Sequence, residues 1–584
     1  MTPRSDQAQT IEGGRGEPFP PAAGGVFTLR LALAILAAFF VLAYLAPLNL
    51  SGLWQPDETR YGEISREMIE SGDWIAPRLL GVRYFEKPVA GYWINNISQL
   101  AFGENNFSVR FGSAASTGLS AALAFCLAMM LWRERQAAFA SALIYLSMLL
   151  VAGIGTYSVL DPMLALWMTA SMVCSWFALR ADTWRSRIGA WILLGLACGM
   201  GFLTKGFVAL AIPVVAVLPV YVREKRFTEL VCYGPLAVAA AAVISLPWSL
   251  MVALKEPDYW NYFFWVEHVQ RFAGKDAQHS EPFWFYLPWF VAGCLPWLGF
   301  LPGALRRGWQ ERIARPERFF LLCWCLMPLL LFSLAKGKLP TYILPCMAPL
   351  ALLLARYGLD SAGQGRERPA RANGFVNAGF GIVALLALAV LAFKFVPSLP
   401  AYESQEWAKP LLGGLALVFW CLMAGLSLRR RPGRWLLAAA CPLLLALTIG
   451  SVLPNVLTVA KQPQAFIRNH ADMLKNSRFV LANNVGMATA LAWELKRADL
   501  LIIHDSGELT YGFGHADSWD RLLQERDVAG WLKGARQQGD VSMLLRVSRK
   551  KVEAPDWLPA PDAVSRMDRY VLLLYRQQAG GGAP

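Results

Sequence analysis

The chain has 584 residues, of which 56% are hydrophobic and only 16% are charged. Soluble domains carry about 25% charged residues, so this composition excludes an ordinary soluble protein. The formal net charge of +14 does not predict a nucleic-acid surface, because the basic residues are scattered over separate short loops. All ten cysteines lie in or beside apolar stretches, which predicts small packing residues and no disulfide framework.

Thirteen apolar stretches, each long enough to cross a bilayer, follow one another between residues 25 and 453. A hydrocarbon core about 30 Å thick requires about 20 apolar residues per helix. The predicted spans are 25–47, 107–131, 136–155, 160–180, 188–204, 206–222, 230–254, 283–303, 319–335, 341–356, 374–396, 409–428 and 435–453. The sequence therefore predicts an α-helical polytopic membrane protein.

The loops between these spans alternate in charge. Every second loop is rich in arginine and lysine, as cytoplasmic loops are; Arg133 and Arg135 lie in one of them and Arg429 in another. The polar, Gly/Pro-rich residues 1–24 fall on the same side and are predicted to form a disordered cytoplasmic tail. The first span lacks a small-residue cleavage site and is therefore interpreted as a signal anchor. An odd number of spans then places the C-terminus on the external face.

Two external segments are unusually long. The first loop, residues 48–106, contains an amphipathic pattern at 61–71 that predicts helices lying at the membrane interface. In the tail, residues 454–584, the apolar runs shorten and predict a small soluble α/β domain. The strands predicted there are 479–482, 500–504, 541–547 and 570–575, and the helices are 485–496 and 518–535.

Charged residues collect on the external side of this topology. They are Asp57, Glu58, Arg60, Glu86 and Lys87 in the first loop, Asp161 at the start of the fourth span, Lys205 between spans five and six, Glu267, His268, Arg271 and His279 between spans seven and eight, and Lys336 and Lys338 between spans nine and ten. Cations at four separate external turns indicate an anionic ligand.

Each group also has a simpler structural explanation. The residues around Asp57 could form local ion pairs in a solvated loop. Asp161 could cap its helix, with Pro162 in the first turn. The lysines at 205, 336 and 338 could extend toward lipid headgroups. Five charged clusters converging on one membrane face nevertheless favour a ligand site.

Four segments resemble the GT-C glycosyltransferases related to protein O-mannosyltransferases. Residues 57–61 (DETRY) with 85–88 (FEKP) resemble the first external loop of that family, and 267–272 (EHVQRF) resemble a later one. Residues 336–345 (KGKLPTYILP) are similar to a stretch of its lipid A aminoarabinose transferases. The resemblance implies a GT-C membrane domain over 25–453 and a periplasmic C-terminal domain in a bacterial inner membrane.

For this branch, the resemblance implies an inverting transfer of 4-amino-4-deoxy-L-arabinose from undecaprenyl phosphate to a lipid A phosphate. The reaction would change the charge of lipopolysaccharide and confer resistance to cationic peptides such as polymyxin. Expected partners are the lipid-linked donor, lipid A and membrane lipids, with no nucleic acid, and a monomer is compatible with this scheme. The alternatives are a protein O-mannosyltransferase type of GT-C enzyme or a lipid transporter, although transporters place polar sites at the membrane midplane.

The resemblance also implies roles for individual residues. Asp57 corresponds to the family's catalytic carboxylate, and Asp161 would be a second carboxylate near it. The cations expected to bind the donor phosphate are Arg60, Lys87, Lys205 and Arg271. Further expected substrate contacts are Glu58, Tyr61, Tyr84, Lys336, Lys338 and Tyr342. Because the acceptor phosphate is already anionic, catalysis should depend on alignment and on neutralising the departing phosphate.

A metal site is a further possibility. Glu86, His268 and His279 could supply oxygen and nitrogen ligands to Zn²⁺, or to Mg²⁺ or Mn²⁺. The spacing matches no compact metal motif, and His268 could equally make an ordinary hydrogen bond within its loop. No other cofactor is indicated.

Overall fold

The computed structural model describes residues 28–270, 280–396, 398–399, 401–431, 433–548 and 552–578. Ten helical segments among them are long and apolar enough to cross a membrane. They are Leu29–Asn49, Asn106–Trp132, Asp161–Arg180, Trp184–Lys205, Phe227–Lys255, Pro316–Leu334, Pro340–Gly363, Arg368–Ala392, Ala408–Ser427 and Arg434–Val452. Each corresponds to one predicted span, because a membrane helix requires a continuous apolar run that is visible in the sequence.

The other three predicted spans differ from simple straight helices. The predicted span 136–155 is a pair of helices, Arg135–Ser147 and Leu149–Gly155, bent by 64°. The predicted span 283–303 becomes Phe283–Gly293 and Leu298–Glu311, bent by 114°. The predicted span 206–222 is the apolar helix Val208–Arg223, which has only 16 residues.

The two bent segments meet at their breaks. The backbone N–H of Leu149 donates to the carbonyl of Leu295 over 2.8 Å. The indole N–H of Trp297 donates to the buried hydroxyl of Ser147 over 2.9 Å. Within an apolar environment, backbone groups released by a break need partners inside the protein. Each break therefore supplies polar partners for the other, and the hydropathy of either segment alone does not reveal this.

Small residues allow two membrane helices to approach closely. Gly195 and Gly199 lie one turn apart on Trp184–Lys205 and face Ala237 and Ala241 of Phe227–Lys255. A Cβ atom at Gly199 would lie 2.7 Å from the carbonyl oxygen of Ala241, and one at Gly195 would collide with the carbonyl of Ala237. Such small-residue contacts are a common means of packing membrane helices.

The first external loop folds into two helices and a hairpin. The first-loop helix is Asp57–Ser71, the second is Ala90–Phe102, and strands β1 (Arg78–Leu79) and β2 (Val82–Arg83) pair between them. The first-loop helix is buried from residue 58 to residue 68, so it differs from the predicted interfacial helix with one polar face. Several of its polar side chains have partners inside the protein; Glu67 accepts hydrogen bonds from the backbone N–H groups of Leu80 and Gly81. The second helix exposes apolar side chains, including Ile97 and Leu100.

The C-terminal domain contains a six-stranded mixed sheet of order β5-β4-β3-β6-β8-β7. Its strands are β3 (Phe479–Ala482), β4 (Leu501–Ile503), β5 (Leu522–Leu523), β6 (Val541–Arg546), β7 (Ala563–Met567) and β8 (Tyr570–Tyr575). Strands β3 to β6 pair in parallel, and β8 runs antiparallel to both β6 and β7. The longer helices are Val485–Leu495 and Glu525–Gln538, preceded by Asn455–Thr458, Gln464–Asn469 and Ala471–Asn476.

All four predicted strands of this domain are present, but two others were missed. β5 has only two residues, too few for a periodic pattern, and β7 is a largely exposed edge strand. The predicted helix 518–535 is wrong in its first part, where Trp519–Arg521 forms a 3-10 turn before β5.

The C-terminal domain packs directly on the first external loop. The hydroxyls of Thr59 and Thr489 lie 2.9 Å apart where the first-loop helix contacts Val485–Leu495. The amide of Gln55 donates to the hydroxyl of Tyr570 over 2.8 Å. The first loop is thus enclosed between the membrane helices and the C-terminal domain.

We expect Gly195→Leu to lower the thermal unfolding temperature of the purified protein in detergent. A leucine side chain must push Phe227–Lys255 away, and overpacking of this kind costs about 1–3 kcal/mol. Gly189→Leu is the matched control, because a Cβ at Gly189 on the same helix meets no atom within 4 Å. Equal unfolding temperatures for the two variants would contradict the proposed close packing.

Candidate functional site

Arg60 is the centre of a charged cluster at the start of the first-loop helix. Its guanidinium donates to Oδ1 of Asp57 over 2.6 Å and also to Oε2 of Glu508, from the C-terminal domain. The guanidinium carbon lies 5.1 Å from the ring centre of Tyr61 and 6.0 Å from that of Tyr84. Two carboxylates therefore share one cation inside a tyrosine-lined environment.

Asp57 is held on both oxygens. The second oxygen, Oδ2, accepts a hydrogen bond of 3.2 Å from the hydroxyl of Tyr157, in the turn before the span Asp161–Arg180. Burial, together with the charge of Asp57, raises the pKa of Tyr157, so this hydroxyl stays protonated and can donate. The Asp57 side chain nevertheless remains 39% exposed, which leaves it accessible to a ligand.

A second cluster joins residues from three membrane segments. Nζ of Lys205 donates to Oδ1 of Asp161 over 2.7 Å and lies 4.4 Å from the ring centre of Tyr342. Asp161 makes no capping hydrogen bond to its own helix, so the capping alternative is wrong. Lys205 does not extend toward lipid as the second alternative supposed, because its side chain is largely buried against these partners.

Glu508 was not identified from the sequence. It lies in the short turn Gly507–Leu509 after β4, in a tail without a recognisable motif, and contacts Arg60 across 448 positions of chain. The hydroxyl of Tyr84 also donates to its Oε2 over 3.1 Å. Burial alone would raise the pKa of Glu508, but the charge and hydrogen bonds of Arg60 and the hydroxyl of Tyr84 hold it below the usual value. The carboxylate is therefore ionised at neutral pH.

Lys87 and Glu86 lie beside this cluster. Nζ of Lys87 donates to the carbonyl of Glu86 over 2.8 Å and lies 3.9 Å from its Oε2. The hydroxyl of Tyr84 lies 3.2 Å from the same carboxylate oxygen. The positive charge of Lys87 also contributes to the low pKa of Glu508, which places Lys87 within electrostatic reach of the Arg60 cluster.

Glu58 was expected to contact the substrate, but its carboxylate is bound inside the protein. Its carboxylate is fully buried and receives two hydrogen bonds of 2.7 Å from the guanidinium of Arg110. The backbone N–H groups of Trp54 and Ser158 each donate to it over 2.9 Å. With both oxygens occupied inside the protein, Glu58 joins the first loop to the membrane helices and presents no group to a substrate.

Lys336 and Lys338, predicted between spans nine and ten, lie where their loop contacts the loop at residues 280–281. Nζ of Lys338 is buried and donates to the carbonyl of Glu281 over 2.7 Å, next to an antiparallel bridge between Ser280 and Gly337. This internal bond argues against Lys338 extending toward lipid headgroups. Lys336 lies at the exposed end of the same bridge.

The proposed metal ligands are only partly described. Arg271 and His279 lie outside the described residues, as does the side chain of His268. Within the described part of the chain, no three His, Cys, Asp or Glu side chains are grouped closely enough to hold a metal ion. The Glu86 carboxylate lies beside Tyr84 and Lys87.

Known proteins resemble this chain over nearly its whole length. The family model of dolichyl-phosphate-mannose-protein mannosyltransferases matches residues 29–263, and that of the arabinosyl transferase ArnT C-terminal domain matches 458–574. The undecaprenyl phosphate-alpha-4-amino-4-deoxy-L-arabinose arabinosyl transferase of Yersinia enterocolitica is 55% identical over 544 residues, which cover 93% of this chain and 98% of that protein. The enzyme of the same name from Serratia proteamaculans is 54% identical with the same coverage.

The chain belongs to this arabinosyl transferase family. Membership confirms the predicted family and decides against the transporter and O-mannosyltransferase alternatives. The crystal structure of ArnT from Cupriavidus metallidurans bound to undecaprenyl phosphate matches with a TM-score of 0.78 at 24% identity, covering 95% of this chain and all of that one. The match confirms the predicted fold, a GT-C membrane domain followed by a strand-containing C-terminal domain.

We expect Glu58→Ala to destabilise the transferase by about 3–5 kcal/mol, since it leaves the buried guanidinium of Arg110 without its carboxylate. Thermal unfolding in detergent measures the effect. Glu70→Ala is the control on the same helix, because its carboxylate is largely exposed and its partner Arg66 keeps two hydrogen bonds to Glu63 when Glu70 is removed. An unchanged unfolding temperature for Glu58→Ala, together with lost activity, would contradict the structural role and restore the substrate role.

Proposed function

We propose that this protein transfers 4-amino-4-deoxy-L-arabinose from undecaprenyl phosphate to a phosphate of lipid A at the periplasmic face of the bacterial inner membrane. The main support is the combination of Asp57, Arg60 and Glu508 in one partly open cluster with close relatives named for this donor and sugar. The added amine would reduce the negative charge of lipopolysaccharide and thereby the binding of cationic peptides such as polymyxin.

The topology supports this location. The first loop, the two charged clusters and the C-terminal domain lie at one end of the membrane helices, the end that the sequence assigns to the periplasm. Ion pairs of Arg318 and Arg356 with Asp360 lie at helix ends that the charge alternation assigns to the cytoplasm. Both lipid substrates present phosphates near the headgroups, so a site at the outer interface suits their chemistry.

Among the described residues, Lys87 and Lys205 are proposed to bind the donor phosphate. Arg271, predicted from the sequence, is proposed to bind it as well. Arg60 already binds two carboxylates, so we assign it to orienting Asp57 and Glu508. Lys205 already forms an ion pair with Asp161, so a phosphate can bind Lys205 only by competing with that carboxylate. Neutralising the phosphate as it departs stabilises the transition state, typically by about 2–4 kcal/mol per contact.

Asp57 is proposed to act at the reacting sugar. The attacking group is a phosphate oxygen that is already anionic near neutral pH, so a strong general base is unnecessary. Asp57, fixed by Arg60 and Tyr157, can instead align the sugar and stabilise positive charge as the bond to the departing phosphate breaks. A single displacement of this kind inverts the anomeric centre.

We expect Asp57→Asn to lower kcat about 100-fold or more with purified protein, lipid-linked aminoarabinose and lipid A in liposomes, because the amide carries no charge to stabilise the transition state. Product formation is followed by mass spectrometry of lipid A. Glu70→Gln, an exposed change on the same helix, is the control and should leave the rate unchanged. A wild-type rate for Asp57→Asn would remove Asp57 from the mechanism.

A further inference from the structure

The charge balance around Arg60 is unusual for a site that binds two phosphates. Asp57 and Glu508 both pair with the single guanidinium of Arg60, so this trio carries a net charge of −1. Adding the neighbouring Glu86 and Lys87 leaves the total at −1. Among the described charged groups here, carboxylates therefore outnumber cations by one.

Glu508 has an unused acceptor in this arrangement. Arg60 and Tyr84 both donate to its Oε2, whereas Oε1 accepts no hydrogen bond from the described residues. The side chain is 32% exposed, close to the 39% of Asp57, so both carboxylates remain partly open. A partly buried carboxylate is costly unless a cation or hydrogen-bond donor satisfies it.

The excess negative charge suits one particular part of the donor. A protonated amine is a compact cation whose hydrogen bonds to carboxylates are about twice as strong as neutral ones. The donor of the proposed reaction carries such an amine on its sugar, at the opposite end from its phosphate. A neutral sugar would leave Arg60 as the one cation paired with either carboxylate among the described residues.

We propose that Glu508 binds the ammonium group of the donor sugar and is a specificity-determining residue of the transferase. This inference rests on the proposed function. Arg60 and Tyr84 hold Oε2 and thereby orient Oε1 for the amine, while Asp57 flanks it on the other side of the guanidinium. The C-terminal domain thus contributes directly to the active site, through the turn Gly507–Leu509.

The test compares two lipid-linked donors with the full-length protein in liposomes. One carries the free amine, and the other carries the same sugar with its amine acetylated and therefore uncharged. The measured quantity is the ratio of kcat/KM for the two donors with lipid A as acceptor. The variants are Glu508→Gln, which removes the charge at nearly constant shape, and Glu508→Asp, which keeps it on a shorter side chain.

We expect Glu508→Gln to reduce the preference for the free amine at least tenfold, mainly through a higher KM for the free-amine donor. Glu508→Asp should recover part of that preference, and it provides the measurement if the glutamine variant does not fold. Glu525→Gln is the matched control, an exposed carboxylate change in the same domain that should preserve the wild-type ratio.

An equal loss of activity toward both donors would overturn the inference, because it would mean that Glu508 serves only to hold Arg60. An unchanged ratio in both variants would overturn it as well. A wild-type protein that transfers neither sugar to lipid A would contradict the proposed function itself, which distinguishes the two failures.

Discussion

The site depends on one guanidinium shared by carboxylates from two domains. Arg60 fixes Asp57 from its own helix and Glu508 from the C-terminal domain, so neither domain contains the complete site alone. Two carboxylates on one cation would repel each other in the absence of that cation. The hydroxyl of Tyr157 adds a hydrogen bond to Asp57, and that of Tyr84 adds one to Oε2 of Glu508. The docking of the C-terminal domain on the first loop therefore completes the candidate site.

Neighbouring residues in the first-loop helix have different proposed functions because the helix presents them to different surroundings. Asp57 and Glu58 are adjacent acids, but Glu58 points to the buried Arg110 while Asp57 lies at the open edge of the site. Successive residues of an α-helix point about 100° apart, which is sufficient to separate a structural from a substrate-facing role. The same helix is buried along most of its length, so packing on its other sides fixes the position of Asp57.

The sequence was sufficient to predict the membrane spans, because the lipid bilayer requires long apolar runs. It was insufficient to predict contacts between side chains that are distant along the chain. Continuous apolar runs revealed the spans. The structure brings together Asp161, Lys205 and Tyr342, three residues that the sequence offered as separate site candidates. Glu508 was missed because its partner is hundreds of residues away and its turn has no motif. The role of Glu58 was missed because an acid in a charged stretch looks the same whether its partner is a substrate or Arg110. The metal set and the contacts of Lys336 with substrate stay predictions.

The paired breaks in the membrane domain limit the substitutions that this chain can accept. The backbone N–H of Leu149 donates to the carbonyl of Leu295. Straightening the first segment would leave that carbonyl without a hydrogen-bond donor in a non-polar environment. Neither kink can be removed singly without penalty. The two segments are distant along the chain but are coupled by this hydrogen bond. A substitution that straightens one kink should therefore require a compensating substitution at the other.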